Sequence, residues 1–305
     1  MERKVIVIVG PTCSGKTNVG IELAELFNTE IISADSRQVY KYLTIGTAKP
    51  SKKELNRVQH HFIDKLLPNQ TFNVNLFEKD ALELIEKLIS KNKIPIVVGG
   101  SGLYVKALID GVFDSVDNDD EFRDEMKLKR EEFGNEYLYN ELKKVDPVAA
   151  STMLPSNWKR VMRALEIFHI TGESILKLHN EHKRQIDINF VQFGIEWERE
   201  ILYRNIELRV DKMIEQGLVD EVKQVLELGY SAELNSLNTV GYKEIISYLK
   251  NEIPLDRAIE LIKRNTRRYA KRQFTWFRKD SRVKWFDIQD VEQLDSLHLT
   301  FAKMM

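Results

Sequence analysis

Residues Val5-Ile6-Val7-Ile8-Val9-Gly10-Pro11-Thr12-Cys13-Ser14-Gly15-Lys16-Thr17 decide the fold. Gly10, Gly15, Lys16 and Thr17 fit the phosphate-loop spacing G-x-x-x-x-G-K-[ST]. Glycines at these points let successive backbone N–H groups curl around a phosphate. The lysine neutralises terminal phosphates, and the Ser/Thr hydroxyl reaches a magnesium ion. The loop sits where its mechanics require. It follows the apolar strand Val5–Val9 and opens a helical pattern from Lys16 to about Phe27, whose N-terminus favours anions. Gly10, Pro11, Thr12, Cys13, Ser14, Gly15, Lys16 and Thr17 are therefore the expected phosphate-binding residues, with Thr17 the contact for Mg2+. Loops of this type are nucleotide- and ATP-binding elements.

The next strand, Glu30–Ala34, ends at Asp35-Ser36-Arg37-Gln38-Val39-Tyr40. Ligands of open parallel α/β sheets sit at the carboxyl ends of strands, so Asp35 is expected to face the phosphate loop. By position alone it is a general base, a magnesium partner through water, or a cap for the next turn. A third strand, Ile94–Val98, ends in Gly99-Gly100-Ser101-Gly102 with no acid after it. Hydrolysing NTPases hold magnesium with an acid at such a position. Its absence favours a transferase that uses a phosphate-bearing donor.

Helical spacing over Leu76–Asn92 and Gly102–Ile109 completes an alternation of strands and helices up to about Val112. That alternation implies a parallel sheet with helices on its faces. An acidic link at Asp114–Glu121 then leads into charged helical sequence to about His182. Phe190–Trp197 reads as a strand returning to the sheet, further helices run to about Lys279, and Val283–Asp287 adds a short strand. The expected architecture is an α/β, P-loop NTPase-like core over 1–113 and 190–305, with an inserted helical subdomain over 114–189.

Several stretches are similar to tRNA dimethylallyltransferases: GPTCSGKT (10–17), ADSRQVYKYLTIGTAKP (34–50), HHFID (60–64) and IPIVVGGSGLYVKAL (94–108). The likeness continues through VDPVAA (145–150), NWKRVMRALEIF (157–168), GLVDEV (217–222), VGYKE (240–244) and YAKRQFTWFR (269–278). This resemblance implies transfer of a dimethylallyl group from dimethylallyl diphosphate to the exocyclic amine of the adenosine 3′ of the tRNA anticodon. It implies that Arg209 binds the donor's diphosphate. The chemistry of that reaction then makes Lys16 and a magnesium held through Thr17 its partners in stabilising the leaving diphosphate, and Asp35 the base that takes the amine's proton. The resemblance implies tRNA contacts at Asp35, Ser36, Arg37, Gln38, Ser101 and Arg123, and along Lys159, Arg160, Val161, Met162 and Arg163. Ser101 keeps the hydroxyl of a threonine found in many relatives. The alternatives are a prenyltransferase for free adenine nucleotides, a small-metabolite kinase and a non-catalytic RNA-binding protein.

Net charge gives no hint of a partner, with 46 Lys+Arg against 47 Asp+Glu. Its distribution does. From Leu255 to Lys284 eleven basic residues face three acidic ones, with Phe274, Trp276 and Phe277 among them. Basic side chains neutralise phosphates and aromatics stack on unpaired bases, although these rings also fall at core spacing. This distribution supports an RNA partner, and the resemblance implies that it is the anticodon stem-loop of tRNA. The single cysteine, Cys13, fits a reducing cytoplasm. No apolar run suits a membrane and no spacing suits zinc. A cytoplasmic monomer is expected.

Overall fold

The structure, a computed structural model, describes residues 3–112, 119–181, 184 and 186–305. The strands are β1 (Lys4–Val9), β2 (Ile31–Ser33), β3 (His60–His61), β4 (Ile96–Val98), β5 (Asn189–Trp197) and β6 (Lys284–Ile288). They form one sheet in the order β3-β2-β4-β1-β5-β6, and every pairing is parallel. Val5, Ile6, Val7, Ile8 and Val9 are all fully buried, because helices cover both faces of β1. A parallel strand buried on both faces needs such an unbroken apolar run. Each of these side chains contributes about 1.5–3 kcal/mol over leaving it exposed.

The helices of the core are α1 (Lys16–Leu26), α2 (Lys52–Arg57), α3 (Val74–Ile89) and α4 (Gly102–Asp110). The helices α5 (Asp120–Phe133), α6 (Asn135–Val145), α7 (Pro147–Ser151), α8 (Trp158–Thr171) and α9 (Ile175–Glu181) follow. The chain then forms α10 (Arg199–Glu215), α11 (Leu218–Glu227), α12 (Tyr242–Leu249), α13 (Leu255–Phe277) and α14 (Val291–Lys303). Two compact units result: Met1–Ile109 with Asp187–Met305, and Asp110–Ile186. The second unit has its own apolar core, with Leu138, Leu142, Val161 and Ala164 fully buried. Of the acidic link expected at Asp114–Glu121, residues 114–118 lie outside the described residues. Asp119 caps α5 by accepting the Phe122 amide at 2.9 Å.

Three elements were not foreseen. The short α2 is capped by Ser51, whose hydroxyl accepts the Glu54 amide at 3.3 Å while the Glu54 carboxylate accepts the Ser51 amide at 2.7 Å. β3 has two residues, too few for any period, and pairs Ile31 with His60 at the sheet edge. α14 is introduced by Asp290, whose carboxylate accepts the Gln293 amide at 2.8 Å. Its Leu297 and Phe301 lie one turn apart on the buried face. Phe301 stacks on Phe193 of β5 with centroids 4.2 Å apart and planes at 15°. α3 also starts two residues earlier than its apolar spacing suggests, because Asn73 caps it at the Leu76 amide, 2.9 Å away.

Phe301→Ala should destabilise the protein by about 3–5 kcal/mol, as for other large-to-small core changes. Equilibrium urea unfolding checks this, and a loss below about 1 kcal/mol would mean that α14 is not part of the core.

Candidate active site

The carboxyl ends of β1, β2 and β4 open into a cleft of about 350 Å³. The phosphate loop forms one wall. Gly10 leaves β1 at φ 145°, and a Cβ there would lie 2.5 Å from the Ile195 carbonyl oxygen. No side chain fits that approach, so β5 fixes where the loop begins. Cys13 takes a positive φ of 66°, uncommon for a residue with a side chain, and such strain gathers at functional sites. Its thiol packs with Leu202, Ile206 and Ala270, so Cys13 offers the loop its backbone.

Lys16 Nζ donates to the Pro11 carbonyl at 2.5 Å and lies 3.5 Å from Ser14 Oγ. The Trp197 indole N–H holds the Ser14 carbonyl at 3.2 Å. Arg209, on α10, lines the same cleft and donates to Thr12 Oγ1 at 3.3 Å. Burial and the Arg209 charge lower the Lys16 ammonium to about 8. Two cations thus face the cleft beside the phosphate loop, and an anion there relieves their repulsion.

Asp35 forms the opposing wall. Its Oδ1 accepts the amides of Arg37 and Gln38 at 2.8 and 3.2 Å. Oδ2 has no protein donor among the described residues. The carboxylate therefore caps its own turn with one oxygen and leaves the other without a protein donor among the described residues. Ser101 Oγ accepts the Ser36 amide at 3.1 Å, which ties the corner after β4 to the turn after β2. Tyr269 of α13 lines the cleft, and burial and Asp35 push its phenol up, so it stays neutral. Arg37 also lines the cleft.

Gln38 lines the cleft and is tied into its wall. Its Nε2 donates to the carbonyls of Thr47 and Ala48 at 3.2 and 3.1 Å, and its Oε1 accepts from Ser33 Oγ at 3.0 Å. Both N–H groups are used inside the protein, so Gln38 shapes this wall. Glu221 secures the same wall by accepting the amides of Thr44, Ile45 and Gly46 and the Tyr242 hydroxyl, all within 2.6–3.1 Å.

Thr17 and Asp35 both line the cleft. Hydroxyl and carboxylate oxygens are donors that suit magnesium, which takes few protein ligands and keeps waters. Among the described residues there is no group of three His, Cys, Asp or Glu able to hold a metal.

In the helical unit, Lys159 and Arg160 are exposed on the first turn of α8. A helix N-terminus repels cations and attracts anions, so basic residues there favour a phosphate partner over helix stability. Val161 and Met162 are corrected: both are buried in the unit's core, so their side chains cannot touch RNA. Arg123 and Arg163 share the fully buried carboxylate of Glu166. Arg123 Nε lies 2.7 Å from Oε1, and Arg163 Nη1 lies 2.7 Å from Oε2. About a quarter of each arginine side chain still reaches solvent.

On and after α13, five of the eleven basic residues pair with acids: Arg257, Lys263, Arg267, Arg278 and Arg282. Arg268, Lys271, Arg272 and Lys279 stay exposed without a carboxylate partner among the described residues. The aromatic expectation is reduced. Phe277 is buried, Phe274 packs on Trp285 with centroids 5.3 Å apart, and only Trp276 stays 44 % exposed.

Comparison with known proteins narrows the chemistry. The IPP transferase family profile matches residues 38–280. The chain belongs to this family. A tRNA dimethylallyltransferase of Acetivibrio thermocellus is 48% identical over 286 residues, covering 93% of this chain and 91% of that one. Another from Carboxydothermus hydrogenoformans is 47% identical, covering 94% and 93%. The crystal structure of the tRNA isopentenylpyrophosphate transferase from Bacillus halodurans superposes with a TM-score of 0.73 at 40% identity, covering 99% and 96%. A eukaryotic dimethylallyltransferase acting on tRNA superposes with a TM-score of 0.83 at 31% identity, covering 98% of this chain and 77% of that one. Sequence reasoning had missed three polar groups in this IPP transferase: Glu166, Glu221 and Gln273. Each lies in a helical run, where the buried Glu166 and Gln273 and the half-buried Glu221 look like ordinary surface residues.

The Lys16 value predicts a pH dependence. Lys16 is charged below about pH 8 and loses its proton above it. Affinity for inorganic diphosphate should fall as pH rises through that value, by up to about tenfold per unit. Diphosphate itself favours the charged form, so the midpoint moves up when it binds. Isothermal titration of wild type and Lys16→Met checks this. Parallel pH curves for the two proteins would contradict the role of Lys16.

Proposed function

We propose that this protein transfers a dimethylallyl group from dimethylallyl diphosphate to the N6 amine of the adenosine 3′-adjacent to the anticodon of tRNA. The observation that carries this reading is the cleft itself. Asp35 Oδ2 is available on one wall, while Lys16, Arg209 and the phosphate loop form the other. The adenine amine is a poor nucleophile because its lone pair is delocalised into the ring. As the new N6–C1 bond forms, Asp35 takes the amine's proton. The C1–O bond breaks in the same displacement, and diphosphate leaves with the electron pair. Charge grows on that leaving group, where Lys16 and Arg209 stabilise it.

Thr17 would hold a magnesium ion, aided by Asp35 through water. When bound, the ion adds positive charge next to the departing diphosphate. The phosphate loop therefore holds a leaving group. The corner Gly99-Gly100-Ser101 after β4 lacks the acid that a hydrolysing NTPase would use, which supports this reading. Arg37 and Ser36 stand beside Asp35 to meet an adenine turned out of a loop. The exposed cations of α13 and of the first turn of α8 supply phosphate contacts for an RNA acceptor. A free nucleotide would need neither. The single cysteine suits a reducing compartment, and we assign the protein to the cytoplasm.

Asp35→Asn should lower transfer to an adenine-bearing anticodon stem-loop by about 10²–10⁴-fold while diphosphate binding stays near wild type. Single-turnover assays with labelled donor measure it, and near-normal turnover would remove Asp35 as the base. Free AMP should be a far poorer acceptor than the stem-loop. Equal use of both would transfer the reading to a free-nucleotide prenyltransferase.

Stem-loop affinity should fall steeply with salt because phosphate contacts release counterions. Neutralising Arg268, Lys271 and Arg272 together should reduce the log–log salt slope by about two to three. Filter binding across a salt series reads it, and an unchanged slope would exclude this face from the RNA.

A further inference from the structure

The stretch YAKRQFTWFR (269–278) contributes basic and aromatic residues to the account above, but it also contains a buried amide. Gln273 is 7% exposed and lies on the face of α13 that lines the cleft with Ile262, Thr266 and Tyr269. Its Oε1 accepts the backbone N–H of Thr12 in the phosphate loop at 2.8 Å. Its Nε2 donates to the carbonyl of Gly100, in the corner after β4, at 2.9 Å. The two partners fix the orientation of the amide, because an N–H must meet an acceptor and a carbonyl a donor. The contact also requires glycine at position 100, since a Cβ there would lie 2.2 Å from Gln273 Nε2.

We propose that Gln273 is a positioning residue that sets the spacing between the diphosphate-binding loop and the general base. The connection runs through named contacts. Thr12 carries the Arg209 contact on its hydroxyl and the Gln273 contact on its amide. Gly100 is followed by Ser101, whose N–H donates to the Ala34 carbonyl at 3.2 Å and whose Oγ accepts the Ser36 amide at 3.1 Å. Asp35 lies between Ala34 and Ser36. One side chain on α13 thus spans the donor side and the acceptor side of the cleft. Displacement between reacting groups of about 1 Å can cost about 10²-fold in rate, so this spacing is what Gln273 protects.

The inference rests on the transferase reading, and two substitutions test it. Gln273→Met keeps the volume and removes both hydrogen bonds. It should lower the transfer rate constant about 10²-fold while stem-loop affinity holds. Gln273→Glu keeps one oxygen but, ionised, turns a second oxygen toward the Gly100 carbonyl and adds an anion beside the phosphate loop. It should weaken inorganic diphosphate binding at about pH 8 and recover as pH falls toward about 5.5, because a neutral carboxylic acid both accepts and donates. Lys16, Arg209, Asp35 and Tyr269 face the same cleft in both proteins, so the variant-to-wild-type affinity ratio removes their own titration. That ratio should rise toward one on acidification.

A pH-independent ratio, with rate constant and diphosphate affinity of both variants within about twofold of wild type, would overturn the proposal. So would a lower melting temperature with unchanged rate constant and KM in the folded fraction, because that marks a purely structural amide. If wild type transfers no prenyl group but the acid-restored diphosphate binding of Gln273→Glu is seen, the anchoring of the loop stands and the transferase reading falls. If Gln273→Met does not fold, the acid recovery of Gln273→Glu alone decides.

Discussion

Everything in the cleft depends on how β1 ends. Five consecutive buried residues carry the chain through the middle of the sheet, and Gly10 then turns it against the Ile195 carbonyl with no room for a side chain. That turn starts the phosphate loop at one position relative to β5. Cys13 is held at a positive φ, Ser14 is gripped by Trp197, and Thr12 is gripped by Gln273 and Arg209. The loop is thus formed by its neighbours before any ligand arrives. Preorganisation of this kind places donors where charge develops without reorganising them during the reaction.

The two walls of the cleft differ in charge, and the difference suits a displacement. Lys16 and Arg209 concentrate positive charge on the wall where we propose that a diphosphate departs, and burial, with the Arg209 charge, already lowers Lys16. Asp35 stands across from them with one oxygen committed to backbone amides. A carboxylate so anchored keeps a single orientation toward the cleft, as the base we propose would require. Glu221 and Gln38 hold the 44–48 segment beside it from two directions. These bonds hold the segment from two sides, while Asp35 Oδ2 on the same wall keeps no protein donor among the described residues.

The sequence made the sheet legible because a parallel strand buried on both faces leaves an unbroken apolar run, as in Val5–Val9. The phosphate loop was equally legible, since its glycines and lysine have fixed spacing. β3 was not, because two residues carry no period. α14 was overlooked although Asp290, Leu294, Leu297 and Phe301 carry both a cap and a helical stripe. The site was read less evenly. Asp35, Lys16, Thr17 and Arg209 all line one cleft. Gln38 stood out as a polar residue next to a base, yet hydrogen-bonds inward. Val161 and Met162 sit in a basic cluster but point to the core, a distinction that helical period could have drawn. Glu166 and Gln273 were invisible because a buried polar residue on a charged helix looks like a solvated one until its partners are known.

If the phosphate loop holds a leaving diphosphate while Asp35 deprotonates an adenine amine, as we propose, the RNA must gain a prenyl group. Intact-mass spectrometry of an unmodified, adenine-bearing anticodon stem-loop tests it most directly. After incubation with the protein, dimethylallyl diphosphate and magnesium, the RNA should gain the mass of one C5H8 unit, and nuclease mapping should assign it to the adenosine 3′ of the anticodon. A stem-loop with guanine at that position should stay unchanged. A stem-loop that gains no mass under conditions where the folded protein binds both substrates would contradict the account. So would a phosphoryl group acquired from ATP in its place.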